Sequence, residues 1–194
     1  LQAILDGVYP LHMEEIARLL DQTQHITRLV NDLHELAQAE AHQLPLHKQP
    51  TDLRELVENT TESFRALTDN KHIVLHVNLP DQPLVFDVDA ARMQQVLQNL
   101  LSNALRYTPV GGEITVTLAS DQQHGIIRVM DTGIGISAEA LPRVFDRFYR
   151  ADSSRSRKDG GTGLGLAIVQ AVVRAHGGEI EVSSEGPCRG STFV

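Results

Sequence analysis

Asp131-Thr132-Gly133-Ile134-Gly135-Ile136 and, further along, Gly160-Gly161-Thr162-Gly163-Leu164-Gly165-Leu166 are the stretches whose reading decides the fold. The first follows an alternating segment, Gly125–Met130, that predicts a strand. The second opens a predicted helix running from about Leu164 to Ala175 and ended by Gly177-Gly178. Glycine lets backbone approach a ligand closely, and a helix start offers unpaired N–H groups and a positive dipole end to phosphate. Neither segment fits the commonest nucleotide loops. Gly160 and Gly165 have the P-loop spacing, but Leu166-Ala167 stand where Lys-Ser/Thr is required. A dinucleotide fingerprint needs a strand directly before its glycines, and residues 150–160 are polar and charged instead. Either segment alone also suits an ordinary turn, so their co-occurrence carries the argument.

Working outward, residues 51–194 mix helices and strands without a regular βαβ repeat, which predicts an α+β sandwich with helices on one face of a mixed sheet. Thr51-Asp52 caps a helix to about Asp69, supported by Glu55. Ile73–Leu79 and Leu84–Val88 read as short strands joined through Pro80-Asp81-Gln82-Pro83. Asp89 caps a helix through about Thr108, closed by Pro109 and Gly111-Gly112. Glu113–Ala119 and Gly125–Met130 form a hairpin, and Glu179–Ser183 and Ser191–Val194 supply further strands.

Ahead of this unit, Leu11 to about His42 has no Gly or Pro, and Ile16, Leu19, Thr23, Ile26, Val30, Leu33 and Ala37 alternate spacings of three and four. That is the seam of a helical bundle, although a single amphipathic helix on a globular core shows a similar pattern. Leu1–Gly7 reads as the end of an earlier helix, which makes residues 1–43 a helical hairpin whose first helix is truncated. A lone hairpin cannot bury its apolar stripe, so it predicts a homodimer through the Leu11–His42 helix, two hairpins forming a four-helix bundle. Residues 44–50, with Pro45 and Pro50, read as the linker. Both ends of the chain read as cut from something longer.

Two further constellations lie between the glycine segments or before them. Asn99 and Asn103 stand one helical turn apart, and two carboxamide oxygens so placed can hold a Mg²⁺ ion that keeps most of its waters and bridges to phosphate. Taken alone, the pair also suits a solvated or locally capping face. Phe145-Asp146-Arg147-Phe148-Tyr149-Arg150 precedes the cationic stretch Arg155-Ser156-Arg157-Lys158. Its aromatics could pin a flap while Arg147, Arg150 or Lys158 meets phosphate, or the whole could be a solvated loop.

Composition narrows the class. In 194 residues, 17 Lys and Arg against 25 Asp and Glu give a net charge of −8, which argues against a nucleic-acid surface. Aromatics make up 4% with no Trp, too few for base-stacking platforms. A single cysteine, Cys188, excludes an intrachain disulfide framework and fits a reducing compartment. No apolar run approaches the ~18 residues that cross a bilayer.

Taken in order, Asn99…Asn103, Asp131-x-Gly133-x-Gly135, Phe145…Phe148 and Gly161-x-Gly163-x-Gly165 resemble the N, G1, F and G2 boxes of sensor histidine kinases. These kinases share the GHKL (Bergerat) nucleotide fold with gyrase, the Hsp90 chaperone and MutL-type proteins. Val30-Asn31-Asp32-Leu33…Leu36 resembles their second dimerisation helix, so the resemblance covers residues 1–194. It implies that Asp131 accepts the exocyclic amine of adenine and that Gly133, Gly135 and Ile136 pass beside the base. It implies that Asn99 and Asn103 coordinate Mg²⁺ on ATP, that Tyr107 lies near base or ribose, and that Arg106 stands where the family more often has lysine. Residues 146–162 would form a lid over ATP, with Gly161, Thr162, Gly163, Leu164 and Gly165 shaping its hinge and the following helix start. Arg106, Arg147 and Arg150 would supply charge for phosphoryl transfer.

The resemblance also implies partners and place: a response-regulator receiver domain, no nucleic acid, and a cytoplasmic portion of an inner-membrane protein whose spans lie upstream. Of nine histidines, only His34-Glu35-Leu36 resembles the family's phosphoacceptor pattern, and it falls in the second helix. His34 therefore reads as a flank of the bundle seam, with the acceptor expected upstream of Leu1. By that reading the chain binds ATP without phosphorylating itself. An ATP-driven machine of the gyrase or chaperone class is the alternative, but it usually carries Glu where Asn99 stands and lacks the preceding hairpin.

Overall fold

The computed structural model describes residues 13–41, 44–121, 123–150 and 162–194. The expected first hairpin helix, Gly161 and the cationic stretch Arg155–Lys158 lie outside the described residues.

The first element among the described residues is α1 (Met13–Glu40), uninterrupted because nothing in it breaks a helix. It is followed by β1 (Gln49–Asp52), α2 (Leu53–Asn70), β2 (Val74–Asn78), β3 (Val85–Val88), α3 (Ala90–Tyr107), β4 (Glu113–Ser120) and β5 (Gly125–Asp131). A 3₁₀ turn (Leu141–Arg143), α4 (Gly165–His176), β6 (Val182–Ser183) and β7 (Ser191–Phe193) complete it.

The five-stranded sheet runs β2-β4-β5-β7-β6. β2 pairs parallel with β4, and the remaining pairs are antiparallel. Along β4, Ile114, Val116 and Leu118 are buried while Thr115 and Thr117 between them are partly exposed, the period-two pattern of a sheet covered on one face. Against that face pack Val57 and Phe64 of α2, Leu97, Leu100 and Leu101 of α3, and Ile168, Val169 and Val172 of α4. Each large apolar side chain so buried contributes about 1.5–3 kcal/mol. This is the expected α+β sandwich.

Three expectations change. The linker is shorter than residues 44–50, because Gln49 and Pro50 already belong to β1, which pairs antiparallel with β3 in a separate two-stranded sheet. Of the pair Thr51-Asp52 it is Asp52 that caps α2, as expected of one of the two: its Oδ1 accepts from Arg54 N at 2.9 Å and from Leu84 N at 3.1 Å. The two segments flanking Pro80–Pro83 consequently enter different sheets, and of Glu179–Ser183 only Val182–Ser183 is strand.

α3, the helix of the two asparagines, is held at both ends. At its start Asp89 Oδ1 accepts from Arg92 N (3.1 Å) and Oδ2 from His47 N (2.9 Å). The N–H of Asp89 in turn donates to His176 Nε2 (3.0 Å). Linker, α3 and the end of α4 thus meet at one residue, the first two at its carboxylate and the last at its backbone N–H. At the other end Lys71 Nζ donates to the carbonyls of Leu105, Arg106 and Thr108, satisfying acceptors a helix terminus otherwise leaves open.

Burial alone would raise the Asp89 carboxyl, but the N–H groups of His47 and Arg92, with the Arg92 charge, outweigh it and hold it below the ordinary carboxylate range. A lowered folded-state pKa gives stability that is complete above the unfolded value and lost as pH falls through the folded one. Asp89→Asn should therefore be less stable than the parent by about 0.5–2 kcal/mol at neutral pH, with the gap closing below about pH 4. Urea melts across that range check it.

Candidate functional site

Two adjoining cavities open between α3, the 131–136 segment and the start of α4. The first, about 340 Å³, is walled mainly by apolar atoms, including Leu100, Ala104, Ile136, Leu166 and Phe193, with Asp131 among its lining residues. The second, about 310 Å³, is more polar and is lined by Asn99, Ser102, Asn103, Thr162, Gly163 and Gly165. Asn103, Arg106, Tyr107, Tyr149 and Arg150 border both, making them two chambers of one cleft. An apolar chamber with one buried acid beside a polar chamber at a helix start suits a ligand with a flat base at one end and anionic groups at the other.

Asp131 ends β5 and is buried. Its Oδ1 accepts from Gly133 N at 2.7 Å and its Oδ2 from Ser191 Oγ at 2.5 Å. Antiparallel pairing sets Asp131 opposite Ser191, so the serine is delivered by sheet register. A carboxylate has about four acceptor sites, so two hydrogen bonds orient this one without exhausting it. Thr108 lines the same chamber, and its hydroxyl is buried without a hydrogen-bond partner. An unpartnered buried hydroxyl beside an acid with acceptor capacity left fits a polar heterocycle edge.

The 131–136 segment is braced from three sides: Ile134 N donates to Tyr107 O, Gly190 N to Gly133 O, and Ile136 N to Ser184 Oγ. The backbone path of this bracing requires the glycines. A Cβ on Gly135, which sits at φ +69°, would lie 2.0 Å from Gly186 O, and one on Gly133 would meet both Asp131 Oδ1 and Tyr107 O.

At the polar chamber, Thr162 Oγ1 accepts from Leu164 N at 3.1 Å, and Phe148 N donates to Gly163 O at 2.9 Å. Gly163 lies on the chamber wall, with its Cβ position filled by the Phe148 backbone. Leu164 lines neither chamber: its side chain is fully buried in the core and its N–H donates to Thr162 Oγ1, so it anchors the turn before α4. Arg106 and Arg150 border both chambers, whereas Arg147 is exposed and lies outside both linings.

Sequence reasoning missed Ser191, Thr108 and Lys71. Ser191 becomes visible only through strand register, and Lys71 only through the turn that brings the end of α2 beside the end of α3. Thr108 was read as the helix's last residue.

The family described as "Histidine kinase-, DNA gyrase B-, and HSP90-like ATPase" matches residues 88–194. The chain is 37% identical over 196 residues to the sensor protein SrrB of Staphylococcus aureus, covering 100% of this chain and 33% of SrrB. It thus spans about a third of the length of the curated relatives it matches. Among solved structures, the histidine kinase AdeS of Acinetobacter baumannii superposes with a TM-score of 0.80 at 31% identity, covering 99% of this chain and 87% of AdeS. Full-length ShkA, in complex with AMPPNP, also gives 0.80 at 28% identity, covering 95% of this chain and 39% of that one. No helix among the described residues is long and apolar enough to cross a membrane.

The bracing of the 131–136 segment is testable without any ligand. Gly135→Ala should destabilise the fold by about 1–3 kcal/mol, from left-handed strain and the clash with Gly186 O, measured as a lowered urea midpoint.

Proposed function

The chain belongs to the histidine kinase-, DNA gyrase B- and HSP90-like ATPases, on the side of the sensor histidine kinases, and from that premise we propose that it donates the γ-phosphoryl group of Mg-ATP to a histidine upstream of Leu1, for relay to a response-regulator aspartate. The observation that carries this reading is the two-chambered cleft, with a buried acid at one end and Asn99, Asn103 and the α4 start at the other.

In this reading Asp131 accepts the exocyclic amine of adenine, and the bonds from Gly133 N and Ser191 Oγ hold the carboxylate in a fixed orientation. A carboxylate accepts this amine but not the carbonyl that guanine presents there, so the acid gives base selectivity. Tyr107, 40% exposed at the rim, flanks the base or ribose. Asn99 and Asn103 would hold Mg²⁺, which neutralises triphosphate charge when bound. Arg106 and Arg150, bordering both chambers, meet the phosphates, and the first turn of α4 adds its N–H dipoles. Positioning and charge neutralisation are the main contributions a protein makes to phosphoryl transfer. That the similar ShkA structure is in complex with AMPPNP supports a nucleotide-binding reading.

The same reading makes α1 the second helix of a dimeric four-helix bundle. Ile16, Ile26, Val30 and Leu33 of the expected seam are 36–60% exposed in the single chain, as a face awaiting a partner would be. His34 hydrogen-bonds Gln38 one turn on, on an exposed face, in keeping with a seam flank. The response regulator, and membrane attachment through segments upstream, follow as parts of this proposal. The ATPase alternative is not favoured: position 99 is Asn, which cannot serve as the water-activating acid.

Calorimetric titration of the folded chain should detect Mg-ATP and Mg-ADP, and Asp131→Asn should weaken both by about 1–3 kcal/mol. Unchanged affinity refutes the role given to Asp131. An N-terminally extended chain carrying the first hairpin helix should form acid-labile phosphohistidine from labelled ATP, and the 194-residue chain alone should not. Release of inorganic phosphate by the extended chain, with no protein-bound label, would favour the ATPase instead.

A further inference from the structure

Asp32, Glu35 and Leu36 are three and four residues apart and share one face of α1. That face is not the exposed seam. Leu36 is 3% exposed within the core, and Leu29, seven residues earlier, packs against the same core. Glu35 is buried as well: its Oε1 accepts from Arg92 Nη1 at 2.7 Å and its Oε2 from Gln95 Nε2 at 2.8 Å. Arg92 also donates to Gln95 Oε1 at 3.1 Å, closing a cluster that ties α1 to the beginning of α3. One turn before Leu36, the half-buried Asp32 lines the polar chamber together with Asn99, Asn103 and Thr162.

A helix belonging to the bundle thus places a carboxylate in the wall of the chamber assigned above to phosphate, where it offsets the charge that Arg106 and Arg150 bring to the same wall. Like charges across a partly desolvated cavity repel more strongly than in water, and the repulsion grows with the charge of the ligand. We propose that Asp32 is a specificity-determining residue of the nucleotide site: with α1 held by the Glu35–Arg92–Gln95 cluster, its carboxylate disfavours the triphosphate relative to the diphosphate. Linkage makes the effect reciprocal, so whatever affinity ATP loses to the docked helix, docking loses to ATP. ATP then loosens α1 from the nucleotide-binding unit, while ADP, with one phosphate fewer, leaves it docked. The inference rests on the Mg-ATP reading of the cleft.

The test titrates the 194-residue chain, Asp32→Asn and Glu35→Gln with Mg-ATP and Mg-ADP by calorimetry, at low and high salt. Asp32→Asn should bind Mg-ATP about three- to tenfold more tightly, with Mg-ADP changed less than about twofold. High salt should shrink the difference. Glu35→Gln, which loosens the cluster without touching the chamber, should move the ATP-to-ADP ratio the same way and speed amide exchange along α1 in nucleotide-free protein. Asp32→Ser repeats the measurement with a smaller side chain. An unchanged ratio in both Asp32 variants, while the parent binds both nucleotides, overturns this proposal alone. So does weakened Mg-ATP binding, which would put Asp32 on the cation's side. A folded parent chain that binds neither nucleotide overturns the Mg-ATP reading and this proposal with it.

Discussion

The cleft depends on one buried carboxylate. Asp131 closes β5 at the point where strand gives way to the glycine segment, and burying it without partners would cost several kcal/mol. The two hydrogen bonds it accepts come from opposite directions, the N–H of Gly133 two residues on and the hydroxyl of Ser191 across the sheet. Satisfying the acid therefore requires the β5–β7 pairing to be in register and the glycine turn to be folded back. The 184–190 loop is drawn in as well: Ser184 Oγ accepts from Ile136 N, Gly190 N donates to Gly133 O, and Gly186 fills the space that a side chain at 135 would occupy. Site and fold are one constraint here: the sheet cannot form in this register without shaping the pocket.

α3 is the second organising element, and its two ends are fixed by different parts of the chain. Asp89 gathers the linker, α3 and the end of α4, while Lys71 from the end of α2 caps the last carbonyls. With both ends fixed and Leu97 and Leu101 fully buried, the face bearing Asn99 and Asn103 has little freedom to rotate. Such preorganisation reduces what a bound ligand must spend in ordering the site.

Much of this was legible in sequence, and the reasons are local. Asp89 and Asp52 announce helix starts because capping is a short-range hydrogen bond. The alternation of Glu113–Ser120 announces a half-buried strand because side-chain period and burial coincide. Asp131 and its glycines, Asn99 and Asn103 were found because their spacing is itself the signal. What escaped depends on long-range pairing. Pro50 reads as linker until β3 pairs with its strand, and Ser191 and Thr108 are ordinary residues until register and burial give them neighbours. Leu164, flanked by glycines, reads with them as part of one turn, and only packing shows that the core claims its side chain. On α1 the seam pattern concealed a second face, because Asp32, Glu35 and Leu36 have no apolar periodicity of their own.

The hydrogen bond from Phe148 N to Gly163 O has a consequence for how this architecture can change over generations. It joins the two strands of chain that lead into and out of residues 151–161, and so it shuts a ring whose neck is part of the cleft wall. Because the neck is fixed independently, residues can be added to or removed from the ring without displacing Gly163 or the start of α4. The entropic charge for doubling such a ring is only about 0.6 kcal/mol. Variation can therefore accumulate in that segment of the sequence, while Gly163 and the start of α4 keep their geometry.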